Sequence, residues 1–212
     1  MTDAHSTRLM LLTPELAEIE AFQPALEAAL AAGDVAAVAL RLAPAPDRVR
    51  LERAKPLIAA VQAAGAAALL AGDDVADLLG KSGADGIHVD YGDEDAVAET
   101  IGRFRPDKIV GVGGLPGRDA AMAAGEAGAD YVMFGDEAGP FAATLERIEW
   151  WVPIFEVPCV GTATSLDDVA ALAAAGAEFA ALGEAVWRHT EGPAAAVAAA
   201  EAALSLARAP TP

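Results

Sequence analysis

The chain has 212 residues, 54% hydrophobic and 22% charged, the size and composition of one folded domain rather than of a disordered segment. Thirty-two acidic residues against 14 basic ones give a net charge of −18, which argues against nucleic acid or an anionic membrane surface as a partner, because both call for a basic face. The lone cysteine, Cys159, excludes an internal disulfide and a multi-cysteine metal site. No long apolar run marks a membrane span, and residues 1–8 lack the apolar core of a signal peptide, so a cytoplasmic protein is expected.

Short apolar runs at 8–12, 35–42, 66–70, 86–89, 108–112, 131–134, 158–161 and 179–182 read as strands, with starts roughly 20 to 31 residues apart. Between and after them, residues 14–32, 47–64, 74–81, 93–103, 118–127, 141–151, 166–175 and 194–208 have helical composition, with apolar residues at i, i+3 and i+4. Thr13-Pro14 predicts an N-cap followed by proline in the first turn, and Ser165 with Asp168 resembles a capping box. A weak repeat supports the count. Gly83-Ala84-Asp85, Gly128-Ala129-Asp130 and Gly176-Ala177-Glu178 each precede an apolar run, with Gly33-Asp34 and Gly65-Ala66 in equivalent places. Each is expected to end a helix on a left-handed glycine before a strand begins. Eight βα units without a linker predict a single-domain (β/α)8 TIM barrel over 1–212, ordered from about 8 to 208. An open doubly wound sheet is the rival, but the first strand lacks the Gly-rich turn such sheets carry.

A barrel places its active site at the carboxyl ends of the strands. The residues expected there are Arg41; Gly72, Asp73 and Asp74; Asp90, Tyr91 and Asp93; Gly113, Gly114 and Arg118; Asp136 and Glu137; Thr162, Ala163 and Thr164; and Glu184. This rim is acidic. Asp73 and Asp93 fit two readings: ligands to one Mg²⁺, a hard cation that takes carboxylate oxygen, or helix N-caps. The Gly-rich stretch from Gly111 to Gly117 fits a phosphate cradle, or simply a tight turn. His88, within the fourth strand, is a candidate for proton transfer or a hydrogen-bonded core histidine. Cys159 reads as a small core residue. Of Trp150 and Trp151, one is expected to pack on the barrel and the other to be a candidate subunit contact.

The stretch Gly83-Ala84-Asp85-Gly86-Ile87-His88-Val89-Asp90 resembles the strand-four signature of the thiamine phosphate synthase family. Tyr131-Val132-Met133-Phe134-Gly135, preceded by Gly128-Ala129-Asp130, resembles its strand-six signature. Ile109-Val110-Gly111-Val112-Gly113, Val157-Pro158-Cys159-Val160 and Ala173-Ala174-Ala175-Gly176-Ala177 follow the family in order and spacing. The resemblance implies a (β/α)8 barrel, a homodimer, and the Mg²⁺-dependent joining of hydroxymethylpyrimidine diphosphate to a thiazole phosphate, both small phosphorylated substrates. It implies Asp73 and Asp93 as metal ligands, Arg41 as a partner of diphosphate oxygens, the Gly113–Gly114 backbone as a donor, and Ala163 and Thr164 at the phosphate loop.

The chain departs from that pattern in one direction. Ala43 stands for a lysine, Gly72 for an asparagine, Asp90-Tyr91 for Gly-Gln, Gly113 for a serine, and Gly183-Glu184 for a serine-containing strand end. The loop from Gly135 to Pro140 replaces one rich in threonine and containing lysine, and Ala163-Thr164 replaces a Gly-Gly pair. Cations are lost and carboxylates gained. Two other readings therefore stand beside the synthase: a tautomerase-like enzyme on the same barrel with His88 moving the proton, and a non-catalytic paralogue that binds a ligand or partner. Cationic side chains reaching the mouth would favour the synthase.

Overall fold

A computed structural model describes residues 6–72 and 74–208, with the side chain of Arg208 outside that description. Eight parallel strands close into a barrel in sequence order, β1 pairing with both β2 and β8. They are β1 (Arg8–Leu12), β2 (Val35–Arg41), β3 (Ala67–Ala71), β4 (Gly86–Asp90), β5 (Ile109–Gly113), β6 (Tyr131–Phe134), β7 (Cys159–Thr162) and β8 (Phe179–Leu182). Around them lie α1 (Gln23–Leu30), α2 (Asp47–Ala63), α3 (Ala76–Ser82), α4 (Glu94–Phe104), α5 (Arg118–Glu126), α6 (Phe141–Trp151), α7 (Asp168–Ala174), the single-turn α8 (Glu184–Trp187) and α9 (Pro193–Arg208). The expected TIM barrel is the observed one. No helix among the described residues is long and apolar enough to cross a membrane.

The two-residue period of the strands sorts their side chains into two cores. Met10, Leu12, Ala39, Leu69, Ala71, Tyr131, Met133, Val160 and Ala181 fill the barrel. Leu9, Leu11, Val38, Leu40, Leu70, Val132, Phe134, Cys159 and Leu182 face the helices. This alternation carries Arg41, two residues beyond Ala39, to the inner edge of the mouth. It also turns His88 inward while Ile87 joins the outer core. Trp151 is buried, packing face to face with Phe155 at 4.0 Å. Trp150 is half-buried beneath the Arg118 guanidinium, 4.8 Å from its ring centroid.

Three local expectations are corrected. The helix expected over 14–32 begins only at Gln23, and Thr13 caps nothing. Thr13 N–H donates to Ala39 O and Leu16 N–H to Arg41 O, so this segment runs along the end of β2 and spends its donors there. α8 was not expected. Among the five repeat glycines, Gly65, Gly83, Gly128 and Gly176 are left-handed, but Gly33 is not. Gly33 instead makes room for α9, since a Cβ there would lie 2.6 Å from Glu201 and 2.9 Å from Val197. At the start of α7 only half of the expected capping box forms: Asp168 accepts from Ser165 N–H at 2.9 Å and also from Thr164, while the N-cap is Asp167 and its side chain makes no capping bond.

The acid of the repeat has a structural task. Asp85 accepts from Ala68 N–H, Asp130 from Val110 N–H and Glu178 from Cys159 N–H, each at 2.8 Å. Each carboxylate thus satisfies an N–H near the amino end of the preceding strand, which lacks a ladder partner there. That is why the same Gly-Ala-acid triplet recurs before β4, β6 and β8.

Candidate active site

The mouth holds a cavity of about 410 Å³ lined by Leu12, Arg41, His88, Asp90, Met133 and Glu137, among others. Beside it lies a cleft of about 460 Å³ under α8, lined by Pro14, Phe22, Trp187 and Arg188. Arg41 and Glu137 line both. Trp187 fastens α8 in place by donating its indole N–H to Leu12 O at 2.6 Å and packing on Phe22 at 4.7 Å.

Arg41 is the cation at the centre of this region. Its N–H donates to Thr13 Oγ1 at 2.9 Å and its Nε to Thr13 O, so the neighbouring loop fixes the side chain. Nη2 donates to Glu137 Oε2 at 2.8 Å. Glu137 Oε1 accepts a second bond, from Glu184 N–H at 2.6 Å. Arg188, on the cleft, is a second cation at the mouth. Arg118 is not one; it sits over Trp150 and reaches Glu146 at 3.4 Å.

His88 forms the floor of the mouth cavity. Its Nδ1 lies 2.9 Å from the Tyr131 hydroxyl, and the two rings stack at 5.6 Å. Burial, and then the charge of Arg41, push the imidazole down to about 4. Burial, and then Asp130, push the Tyr131 phenol upward. Both groups are therefore neutral at neutral pH, and so low a pKa makes His88 a weak base. The glycines of β5 are the slot for this pair. A Cβ at Gly111 would fall 1.9 Å from the Tyr131 ring, and one at Gly113 would fall 2.6 Å from His88 Nε2. Gly113 is thus explained by close packing. Gly114, at φ 60°, borders the cavity with Asp90 against it, where a Cβ would lie 3.0 Å from Oδ1.

The structure separates the other residues singled out in the sequence. Ala163 is buried and its N–H is spent on Ala181 O at 2.9 Å. Thr164 gives both its N–H and its hydroxyl to Asp168, so neither residue offers a free donor to a phosphate. Asp93 is the N-cap of α4, accepting from Ala96 N–H at 2.9 Å through Oδ1. Asp73 lies outside the described residues; next to it Gly72 and Asp74 both have positive φ, 112° and 56°. Asp90 and Asp136 bring carboxylates to the cavity itself. Among the described residues, no three His, Cys, Asp or Glu side chains converge as a metal cage. Cys159 is buried in the outer core, and burial raises its thiol pKa, as suits a packing residue. Glu137 and Tyr131 are the residues whose parts sequence reasoning missed. The one signal for Tyr131 was the alternation of glycines in the facing strand.

These features define a single-domain (β/α)8 barrel with a small-molecule cavity at the carboxyl ends of its strands, Arg41 held at its edge and carboxylates around it. Residues 9–186 match the thiamine monophosphate synthase family, and the chain belongs to that family. It is 44% identical to the thiamine-phosphate synthase of Rhodospirillum centenum over 206 residues, covering 93% of this chain and 96% of that one. To the thiamine-phosphate synthase of Hyphomonas neptunium it is 38% identical, covering 91% of each. Among solved structures, the thiamine phosphate pyrophosphorylase of Pyrococcus furiosus superposes with a TM-score of 0.80 at 21% identity, over 97% of this chain and 99% of that one.

Proposed function

We propose that this protein is a thiamine-phosphate synthase, joining hydroxymethylpyrimidine diphosphate to a thiazole phosphate and releasing diphosphate. The observation that carries the reading is Arg41, anchored by Thr13 and aimed into the mouth cavity of a chain that belongs to this family. The bond from the pyrimidine methylene to the diphosphate oxygen breaks, and its electron pair leaves with diphosphate. The lone pair of the thiazole nitrogen then forms the new C–N bond. Arg41 stabilises the negative charge that grows on the departing oxygens, and it costs little reorganisation because its side chain is already held. Arg188 supports the second anion from the cleft. Leu12, Met133 and the neutral His88, backed by Tyr131, form a wall suited to an uncharged aromatic ring and bring no competing charge to the reacting carbon.

Mg²⁺ fits the donor chemistry. This ion keeps several waters and needs only one or two carboxylates beside substrate phosphates, so a cage of three carboxylates is not required. Asp93 would hold it through Oδ2, the oxygen outside the helix cap, together with Asp73. The ion would neutralise diphosphate charge. The tautomerase-like alternative asks His88 to act as the base, a task its low pKa does not suit, and the non-catalytic alternative has the anchored Arg41 against it.

The test is turnover. Purified protein with both substrates and Mg²⁺ is expected to form thiamine phosphate, and chelation is expected to stop it. Arg41→Ala should lower kcat/KM by about 10- to 100-fold, the value of a charge-assisted hydrogen bond. A folded protein that forms no product would overturn the reading.

A further inference from the structure

We infer that Glu137 is an internal anion paired with Arg41, and that an incoming phosphate-class anion must displace it to reach the guanidinium. The inference deepens the synthase reading and rests on it for the identity of the anion, but not for the exchange itself.

Glu137 binds as a phosphate would. One carboxylate oxygen takes the Arg41 guanidinium at 2.8 Å and the other takes Glu184 N–H at 2.6 Å. Its seat is shaped for it: a Cβ on Gly183 would sit 1.7 Å from Oε1, so only glycine admits the carboxylate there. The residue stands where the mouth cavity meets the cleft and lines both, so it partitions about 410 Å³ from about 460 Å³.

The contact is also built to be broken. The Arg41 and Glu137 side chains are 39% and 22% exposed, and ion pairs this open to water are weak. Arg41 keeps its bond to Thr13 O when Glu137 leaves, so the guanidinium stays in position for the ligand. Glu137 rides on the short loop between β6 and α6, in which Gly135 and Gly139 flank a turn closed by Asp136 Oδ1 and Ala138 N–H. A dianion or trianion outcompetes a monoanionic carboxylate for the same cation, and its arrival would merge the two spaces into one chamber large enough for two substrates. Glu137 thereby sets specificity. It excludes weakly charged molecules from Arg41 and admits those with enough charge to replace it.

The probe is inorganic diphosphate, titrated calorimetrically against the full chain without either organic substrate. Glu137→Gln and Glu137→Ala should each tighten its binding about five- to tenfold, while Arg41→Ala should abolish it even in the Glu137→Ala background. Binding that is unchanged or weaker in both folded variants, or absent from every protein tested, would overturn the displacement. The two readings fail separately. Tighter binding in the variants without turnover would leave the displacement standing and remove the synthase. Turnover with unchanged binding would do the reverse.

Discussion

The two ends of the barrel use the same side chains for opposite purposes. At the floor, Asp85, Asp130 and Glu178 are each bonded to a strand N–H, and Arg105 adds a pair to Asp130 at 2.6 Å. At the mouth, Asp90 and Asp136 border open space, and Glu137 holds the Arg41 guanidinium. The floor also encloses a hollow of about 270 Å³ whose lining is mostly apolar, with Met10, Leu69, Ile109 and Phe179. Between the ends lies the His88–Tyr131 pair, seated in the glycine slot of β5. The lesson is that a high acidic content has no single meaning in this chain. Floor carboxylates complete the backbone's hydrogen bonds at the strand starts and so serve stability, whereas at the mouth some, such as Asp93 and Asp168, cap backbone and others, Asp90 and Asp136, line the cavity.

The His88–Tyr131 pair offers the strongest way to break this division. Gly111→Val should destabilise the protein by about 3 kcal/mol or more, because its side chain would overlap the Tyr131 ring. Urea denaturation reads the effect, and a loss below about 1 kcal/mol would mean the slot is not filled as described.

Acid tests the His88–Tyr131 pair without changing its shape. His88 titrates near 4 in the folded protein and near its ordinary 6.5 when unfolded. Below pH 6.5 the unfolded chain takes up a proton that the folded chain refuses, so stability should fall as pH drops from about 6.5 to 4 and then level off. The contribution is up to about 3 kcal/mol at the acid end and is absent above pH 6.5. A His88→Asn variant should lose that share of the slope, which pH-dependent unfolding measures directly.

The floor should respond next. Asp130→Ala leaves Val110 N–H without its partner and Arg105 with only Gly128 O, and should cost about 2 kcal/mol. At the mouth, Asp90→Asn should move stability by no more than about 0.5 kcal/mol, with thermal melts as the readout. Equal losses at the two ends would dissolve the distinction.

The strands were legible because their signal is local. The runs at 8–12, 131–134 and 179–182 match β1, β6 and β8 residue for residue, since each apolar stretch is bounded by turn chemistry. The run at 14–32 misled because residues 13–16 have helical neighbours in sequence but a strand edge beside them in space. Likewise, the glycines from Gly111 onward read equally as a phosphate cradle or a tight turn, and the structure shows a further task for Gly111 and Gly113, close packing against Tyr131 and His88. A glycine needed for a close neighbour and one needed for a turn look alike in one dimension.

The sequence by itself determined the eightfold alternation, the barrel, the family and the place of Arg41 at the end of β2. Periodicity and short motifs contain all of these. Only the tertiary structure decided what Arg41 meets. Its partner Glu137 lies 96 residues away along the chain, and the N–H that holds the carboxylate's other oxygen belongs to Glu184, 47 residues further on. Closure of the barrel brings three strand ends together at one point, and no spacing along the chain encodes which of the many rim carboxylates arrives there.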